Sequence, residues 1–247
     1  MIRISLVSYS NTLPFKVALE SSVFIKQNAI LRECHPAQCA KEIFSDLADI
    51  ALIPVGALEK SDKYEIVTDY CIAAKNRVES VLLLSEKPKS EIREITLDYQ
   101  SRTSVKLIKV INNNFWKFNY RYADAKPGFE KNIIGSSAAL VIGDRALNLR
   151  NSFPYVYDLA EEWHNFTELP AVFAVWVAKK EISREFMLKF NDILSKGNSN
   201  RAAIAKRYSH IYKGFNLEDY LVNCIDYYFD QTKIESMNLF LKLSENI

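Results

Sequence analysis

Glycine is scarce in this chain, with 6 in 247 residues, and none of the six falls in a G-x-G-x-x-G or G-x4-G-K-[ST] run. Folds that cradle dinucleotides or nucleoside triphosphates in such loops therefore lose their main signature. Histidine is scarcer still: His35, His164 and His210 are the full set, and no G-x-S-x-G elbow is present. Catalysis by an activated nucleophile has little to build on. An excess of one charge is missing too, since 32 Lys+Arg oppose 30 Asp+Glu for a net charge of +2. No global field draws the chain to nucleic acid, and a small molecule is the expected partner. The longest apolar runs, Val81–Leu84 and Val172–Ala178, fall well short of the roughly 18 residues of a membrane helix. The first residues, Met1-Ile2-Arg3-Ile4-Ser5-Leu6-Val7, enter a strand-like segment without the basic, apolar and cleavage regions of a secretion signal, and the expected location is cytoplasmic. Cys34, Cys39, Cys71 and Cys224 then read as buried thiols. The Cys34-His35-x3-Cys39 cluster lacks both a Cys-x2-Cys spacing and a second ligand pair, so neither metal nor cofactor is called for.

What is present is a globular composition, 49% hydrophobic and 25% charged, patterned as alternating strands and helices through the first two thirds. That alternation predicts an α/β protein with helices packed on its sheets. A first lobe begins with a strand closed by Val7, a helix opened by Pro14 and a strand over Ala29–Cys34. Pro36 opens the next helix, and strands over Ala48–Pro54, Cys71–Ala74 and Val78–Ser85 follow. Lys87-Pro88-Lys89-Ser90-Glu91 is the clearest break, after which the alternation restarts. Asp158-Leu159-Ala160-Glu161 has the form of a helix N-cap with an acid three residues on. The apolar strand Ala171–Ala178 returns the chain to the first lobe, and from Ser183 the pattern is helical to the end. The expectation is two lobes, 1–88 with 174–247 and 89–173, with a ligand cleft between them and a helical tail packed on the first.

Hydroxyl- and amide-rich loops follow two of these strands: Ser8-Tyr9-Ser10-Asn11-Thr12 and Ser101-Arg102-Thr103-Ser104. The second opens a helix, where free N–H groups and the positive end of the helix dipole suit an anion. Two such loops on opposite lobes would grip a small dicarboxylate. Ser, Thr and Asn also cap helices in the absence of any ligand.

Several blocks carry a resemblance: Ser8–Pro14, Ala48–Val55, Leu97–Val105, Ile142–Leu147, Tyr157–Trp163 and Leu169–Trp176. Together, over residues 1 to about 178, the sequence resembles the chorismate dehydratase family of the futalosine route to menaquinone. The resemblance implies a two-lobed fold like that of type II periplasmic binding proteins, used as a cytoplasmic enzyme. It implies loss of water from chorismate to give 3-[(1-carboxyvinyl)oxy]benzoate. Asn11 and Ser8 are then the catalytic candidates, and Ser80, Ser101, Arg102, Thr103, Ser104 and Asp144 the substrate-binding ones. A relative of 1,4-dihydroxy-6-naphthoate synthase, or a non-catalytic solute-binding or sensor protein, stands as the alternative.

Overall fold

The computed structural model describes residues 1–59, 61–245 and 247. The chain builds two separate sheets. The first contains β1 (Ile2–Val7), β2 (Ala29–Cys34), β3 (Ile50–Pro54), β4 (Tyr64–Ala74), β10 (Ala171–Lys179) and β11 (Asp226–Tyr228), in the order β11-β4-β10-β3-β1-β2. The second contains β5 (Val81–Ser85), β6 (Glu94–Leu97), β7 (Arg121–Asp124), β8 (Ser137–Ile142) and β9 (Tyr155–Asp158), in the order β7-β6-β8-β5-β9. Helices α1 (Leu13–Ser21), α2 (Val23–Asn28) and α3 (Pro36–Phe44) connect strands of the first sheet, and α4 (Arg102–Ile111) and α5 (Asp144–Leu149) those of the second. Parallel pairs at β1, β2 and β3 and at β6, β7 and β8 are joined to antiparallel neighbours at β10 and β5. Central strands are covered on both faces, so β3 and β5 are buried throughout and β10 along all but its last residue. That is why they read as unbroken apolar runs and not as alternating ones.

Two elements depart from expectation. The sequence pattern puts Val81–Ser85 in the first lobe, but it pairs with β8 and β9 in the second sheet. The first passage between sheets is therefore residues 75–80. After β10 come the helices α7 (Arg184–Ser199) and α8 (Arg201–Tyr208), but the tail, expected to be helical to the end, is not so throughout. A short helix α9 (Leu217–Asp219) runs into a π-turn over Tyr220–Cys224, and β11 then adds an edge strand to β4. The Tyr227 ring packs edge-on against Phe15 at 5.2 Å, and this burial outweighs the helical spacing of the apolar residues before it. Asp230 starts the following helix α10 (Gln231–Ser244) by accepting a bond from the Lys233 N–H at 3.0 Å.

The second passage contains α6 (Leu159–Thr167), capped by Asp158 as its sequence pattern implies. Asp158 is buried and accepts from four backbone N–H groups: Ala160 and Glu161 of the second passage, and Val78 and Glu79 of the first. One carboxylate thus joins both connecting segments. Trp163 in α6 donates to Ser236 of α10 at 3.0 Å, so the tail holds the second passage against the first sheet. Among the described residues no helix is long and apolar enough to cross a membrane.

Candidate active site between the two sheets

A narrow cavity of about 50 Å³ is lined from both sheets. Its apolar wall includes Leu52 and Pro54 of β3, Ile72 of β4, Phe173 of β10 and Ile142 of β8. Its polar side chains are Tyr9, Asn11, Thr12, Ser80, Ser101 and Ser104. Among the described residues none that lines it is a carboxylate, histidine, lysine or arginine.

The turn after β1 brings Asn11 to this cavity. Val7 is the last residue of the strand, and a short 3-10 turn over Ser10–Thr12 leads into α1. Thr12 Oγ1 bonds to the Val7 carbonyl at 2.5 Å and to the Tyr9 carbonyl at 2.8 Å. The threonine, not the asparagine side chain, thereby stabilises the turn. Asn11 Oδ1 is buried without a hydrogen-bond partner among the described residues. A buried acceptor left unpaired is costly unless a ligand supplies the donor. Ser80, at the end of the first passage, is 2% exposed and also faces the cavity.

Across the cavity Ser101 caps α4, accepting from the Ser104 N–H at 3.0 Å and donating its hydroxyl to Ser104 Oγ at 2.8 Å. The Ser104 hydroxyl hydrogen is left free to point at a ligand. Ser101, Ser104, Asn11 and Ser80 therefore line one cavity.

The other four candidates do not. Ser8 is exposed and does not line the cavity: the residue after buried Val7 faces outward, and its N–H is taken by the Cys34 carbonyl at 3.0 Å. Arg102 is exposed at the outer side of the helix start. Thr103 is buried but turned away; its Oγ1 accepts from the Gly56 N–H at 3.0 Å and donates to the Phe173 carbonyl at 2.9 Å. Asp144 is engaged by Ser10, whose hydroxyl donates to it and whose N–H lies 3.2 Å from its Oδ1. Thr103 and Asp144 thus tie the sheets together at the edge of the cavity.

A third tie runs from the Tyr9 hydroxyl to Gln100. The Gln100 loop is in turn held by buried Asp98, which accepts from the Gln100 N–H at 2.9 Å, the Ile142 N–H at 3.1 Å and the Arg145 guanidinium at 2.6 Å. Two glycines permit these approaches. A Cβ on Gly56 would lie 2.7 Å from the Arg102 carbonyl oxygen and from Thr103 Cα, while one on Gly143, which has φ +66°, would meet the Tyr9 ring at 3.0 Å. Burial raises the Tyr9 phenol well above its usual range and raises the Asp144 carboxyl as well, although the bonds from Ser10 oppose the latter shift.

The histidine of the Cys34-His35-x3-Cys39 cluster has a structural role. His35 Nδ1 accepts from the Gln38 N–H at 3.3 Å and caps α3. Sequence reasoning missed two tail residues that touch the site. The Tyr227 hydroxyl donates to the Asn11 carbonyl at 2.8 Å, and the Tyr220 hydroxyl to Ser80 Oγ at 2.7 Å. A tyrosine in a helical stretch gives no local sign of such a partner.

Two sheets connected by two passages, with a cavity lined from both, define the periplasmic-binding-protein class of fold. A Candida albicans protein described as having the generic periplasmic binding protein fold superposes with a TM-score of 0.61, at 9% identity and with 100% and 90% of the two chains covered. An Archaeoglobus fulgidus protein superposes with a TM-score of 0.77, at 12% identity and with 99% and 97% covered. The chain belongs to the menaquinone biosynthesis family, which it matches over residues 2–246. It is 30% identical over 190 residues to the chorismate dehydratase of Campylobacter jejuni, spanning 74% of this chain and 71% of that one. To the chorismate dehydratase of Thermus thermophilus it is 25% identical over 202 residues, spanning 72% and 70%.

Proposed function

We propose that this chain is a lyase that dehydrates chorismate to 3-[(1-carboxyvinyl)oxy]benzoate in menaquinone biosynthesis. The observation that carries the reading is the neutrality of the cavity, whose polar side chains are hydroxyls and an amide set against an apolar wall. Membership of the menaquinone biosynthesis family and the two chorismate dehydratase relatives support it.

The elimination suits such a site because the substrate supplies the driving force. The C–H bond on the ring carbon bearing the ether breaks, and its electron pair becomes part of the ring π system. The adjacent C–O bond to the hydroxyl breaks, and proton and hydroxide leave as one water. The ring becomes aromatic and no oxidant or reductant takes part. What the protein contributes is position and oriented dipoles in a space closed to bulk water.

In this reading the Ser104 hydroxyl and the free N–H groups at the start of α4 hold one substrate carboxylate. Asn11 Oδ1 accepts from the substrate hydroxyl and fixes the leaving group. The Ser80 hydroxyl donates to that oxygen as negative charge grows on it. The second substrate carboxylate takes the ring proton, since no described side chain lining the cavity is a base. A small, water-soluble dicarboxylate substrate fits a cytoplasmic setting. The two sheets act as lobes that rotate about residues 75–80 and 159–170.

The test is to mix the purified protein with chorismate and follow the ultraviolet spectrum, with the product verified by mass spectrometry. Appearance of the aromatic product, lighter than chorismate by one water, is the expected result. Binding of chorismate without spectral change would replace the enzyme with a solute-binding protein.

A further inference from the structure

Cys34 and Cys39 take no part in the proposed chemistry, and their side chains meet. Cys34 ends β2, the edge strand of the first sheet, and Cys39 lies near the start of α3. His35 caps that helix, and the tight passage from strand to helix leaves the two Sγ atoms 3.0 Å apart. Both residues are free thiols. An S–S bond is about 2.05 Å long, so about 1 Å of movement joins them.

The two sulfurs differ in access. Cys34 is half-buried, not buried as the sequence suggests, and stands between exposed Glu33 and His35, whereas Cys39 is 0% exposed. A small reagent in solution reaches Cys34 first and Cys39 only through it. They differ in acidity as well. The hydrogen bond with Cys39 lowers the Cys34 thiol from its ordinary value, against the opposing effects of burial and of the Glu42 carboxylate. The same bond, and after it burial, raises the Cys39 thiol. Since the thiolate is the attacking form, Cys34 is the nucleophile and Cys39 the resolving thiol.

The pair stands directly behind the cavity wall. Cys34 lies opposite Val7 in the register of β1 and β2, and its carbonyl takes the Ser8 N–H at 3.0 Å. Pro36, between the two cysteines, lines the cavity together with Val7.

We infer that Cys34 and Cys39 form a redox modification site, closed to a disulfide by exchange with a low-molecular-weight disulfide, and that its closure slows the site in front of it. The Cys34 thiolate attacks one sulfur of the reagent and breaks its S–S bond, and the departing thiolate takes up the proton that Cys34 lost. Cys39 then loses its proton to solvent, attacks the Cys34 sulfur and releases the second half of the reagent, which is protonated in turn. Two protein thiols are oxidised to one disulfide while one reagent disulfide is reduced to two thiols. The effect on turnover rests on the proposed dehydration; the thiol chemistry does not.

The test incubates the reduced full chain with oxidised glutathione, blocks the remaining thiols with an alkylating reagent and digests with trypsin. Cleavage after Arg32 and Lys41 gives one peptide, Glu33–Lys41, that holds Cys34 and Cys39 and neither of the other cysteines. Mass spectrometry is expected to find it unalkylated and lighter than the dithiol form by two hydrogens. In Cys39→Ala, which lacks the resolving thiol, Cys34 is expected to keep glutathione as a stable mixed disulfide. Turnover of chorismate by the oxidised wild type is expected to fall by about tenfold or more, because displacements near 1 Å are costly at a site that works by position. A reducing thiol should restore it. The double variant with Cys34→Ala and Cys39→Ala should turn over chorismate at the wild-type rate with or without oxidised glutathione.

A wild-type peptide alkylated at both cysteines, or one that retains glutathione on Cys34, overturns the inference. Formation of the disulfide with unchanged turnover overturns the control of the site. If Cys39→Ala does not fold, the wild-type peptide decides. Should the reduced wild type leave chorismate unchanged, the proposed function falls, and the peptide masses alone decide the thiol pair.

Discussion

Ser10 and Asp144 meet across the boundary between the two sheets. The hydroxyl and the N–H of Ser10, in the turn after β1, both donate to the Asp144 carboxylate at the start of α5 in the second half of the molecule. Together with the bonds from Tyr9 to Gln100 and from Gly56 to Thr103, this pair draws the cavity shut. Removing it shifts the balance of open and closed forms toward open. Asp144→Ala is therefore expected to increase the radius of gyration of the free protein in small-angle scattering and to weaken product binding by about 1–3 kcal/mol, the range for a lost bond to a charged group. Equal radii and equal affinities in the two proteins would show that Asp144 has no part in closure.

Ser104 and Thr103 are neighbours on one helical turn and are predicted to fail differently. Thr103→Val keeps the shape of the side chain but leaves the Gly56 N–H and the Phe173 carbonyl unpaired in a buried place. Each such group costs about 1–3 kcal/mol, so the melting temperature should fall by several degrees. Ser104→Ala removes a hydroxyl facing the cavity and with it the acceptor of the Ser101 hydroxyl, which also lines the cavity and can turn to it. Its melting temperature should stay close to wild type while its dissociation constant for product rises about 5- to 150-fold, the equivalent of about 1–3 kcal/mol. Calorimetric titration alongside thermal melts separates the two, and the reverse assignment would move the anion site to Thr103.

The legible part of this molecule is what is written locally. Ala171–Ala178 announces a central strand through its apolar run, and Asp158 announces α6 because a cap and its helix are adjacent in sequence. The sheet to which Val81–Ser85 belongs is not legible, since its partners β8 and β9 lie more than 50 residues away. The same holds at the site. The loops 8–12 and 101–104 are identifiable by residue type, but which of their side chains face the cavity depends on how the sheets dock. Docking turns Thr103 and Asp144 into ties, leaves Ser8 and Arg102 outside, and recruits Tyr220 and Tyr227 from a segment without a motif.

Stability in acid should depend on Asp49, at the residue before β3. Its carboxylate takes two bonds from the Arg3 guanidinium, at 2.9 and 2.6 Å, one from the Arg3 N–H at 2.9 Å, and lies 3.2 Å from Lys179 Nζ. Arg3, chiefly through its side-chain hydrogen bonds, holds the Asp49 carboxyl below the ordinary carboxylate range. A depressed folded-state pKa means stability that is present above the unfolded value, roughly 3.9, and is lost as pH falls through the folded one. Asp49→Asn should therefore melt below wild type at pH 7, with the gap narrowing as pH drops below about 4. Thermal melts from pH 7 to pH 3 give the comparison. A gap that is constant across that range would mean that the ion pair contributes nothing through its charge.

Asn11 gives the sharpest separation between a structural and a functional residue. A structural asparagine in this turn would bond its own loop, as Asn often does. Here Thr12 Oγ1 makes those bonds and the Asn11 contribution to the turn is its carbonyl, which any residue at that position retains. Asn11→Ala is thus expected to melt within a degree or two of wild type while losing about 10²–10³ in kcat, the usual effect of removing one oriented polar group from an active site. Asn11→Asp tests the sign of the charge. It keeps the size and an acceptor oxygen but replaces the side-chain N–H group by a second oxygen, and it places a carboxylate in a cavity whose described lining holds no counter-ion. Beside a dicarboxylate substrate that anion is repelled, and in the free protein its burial drives its pKa up. Turnover should be nearly abolished at neutral pH, and product affinity should recover in part as pH falls and the introduced carboxylate takes a proton. Steady-state rates and titrations at pH 5 and pH 8 provide the check. An Asn11→Asp protein that converts chorismate at near wild-type rate at pH 8 would remove Asn11 from the site and leave Ser80 and Ser104 to account for it.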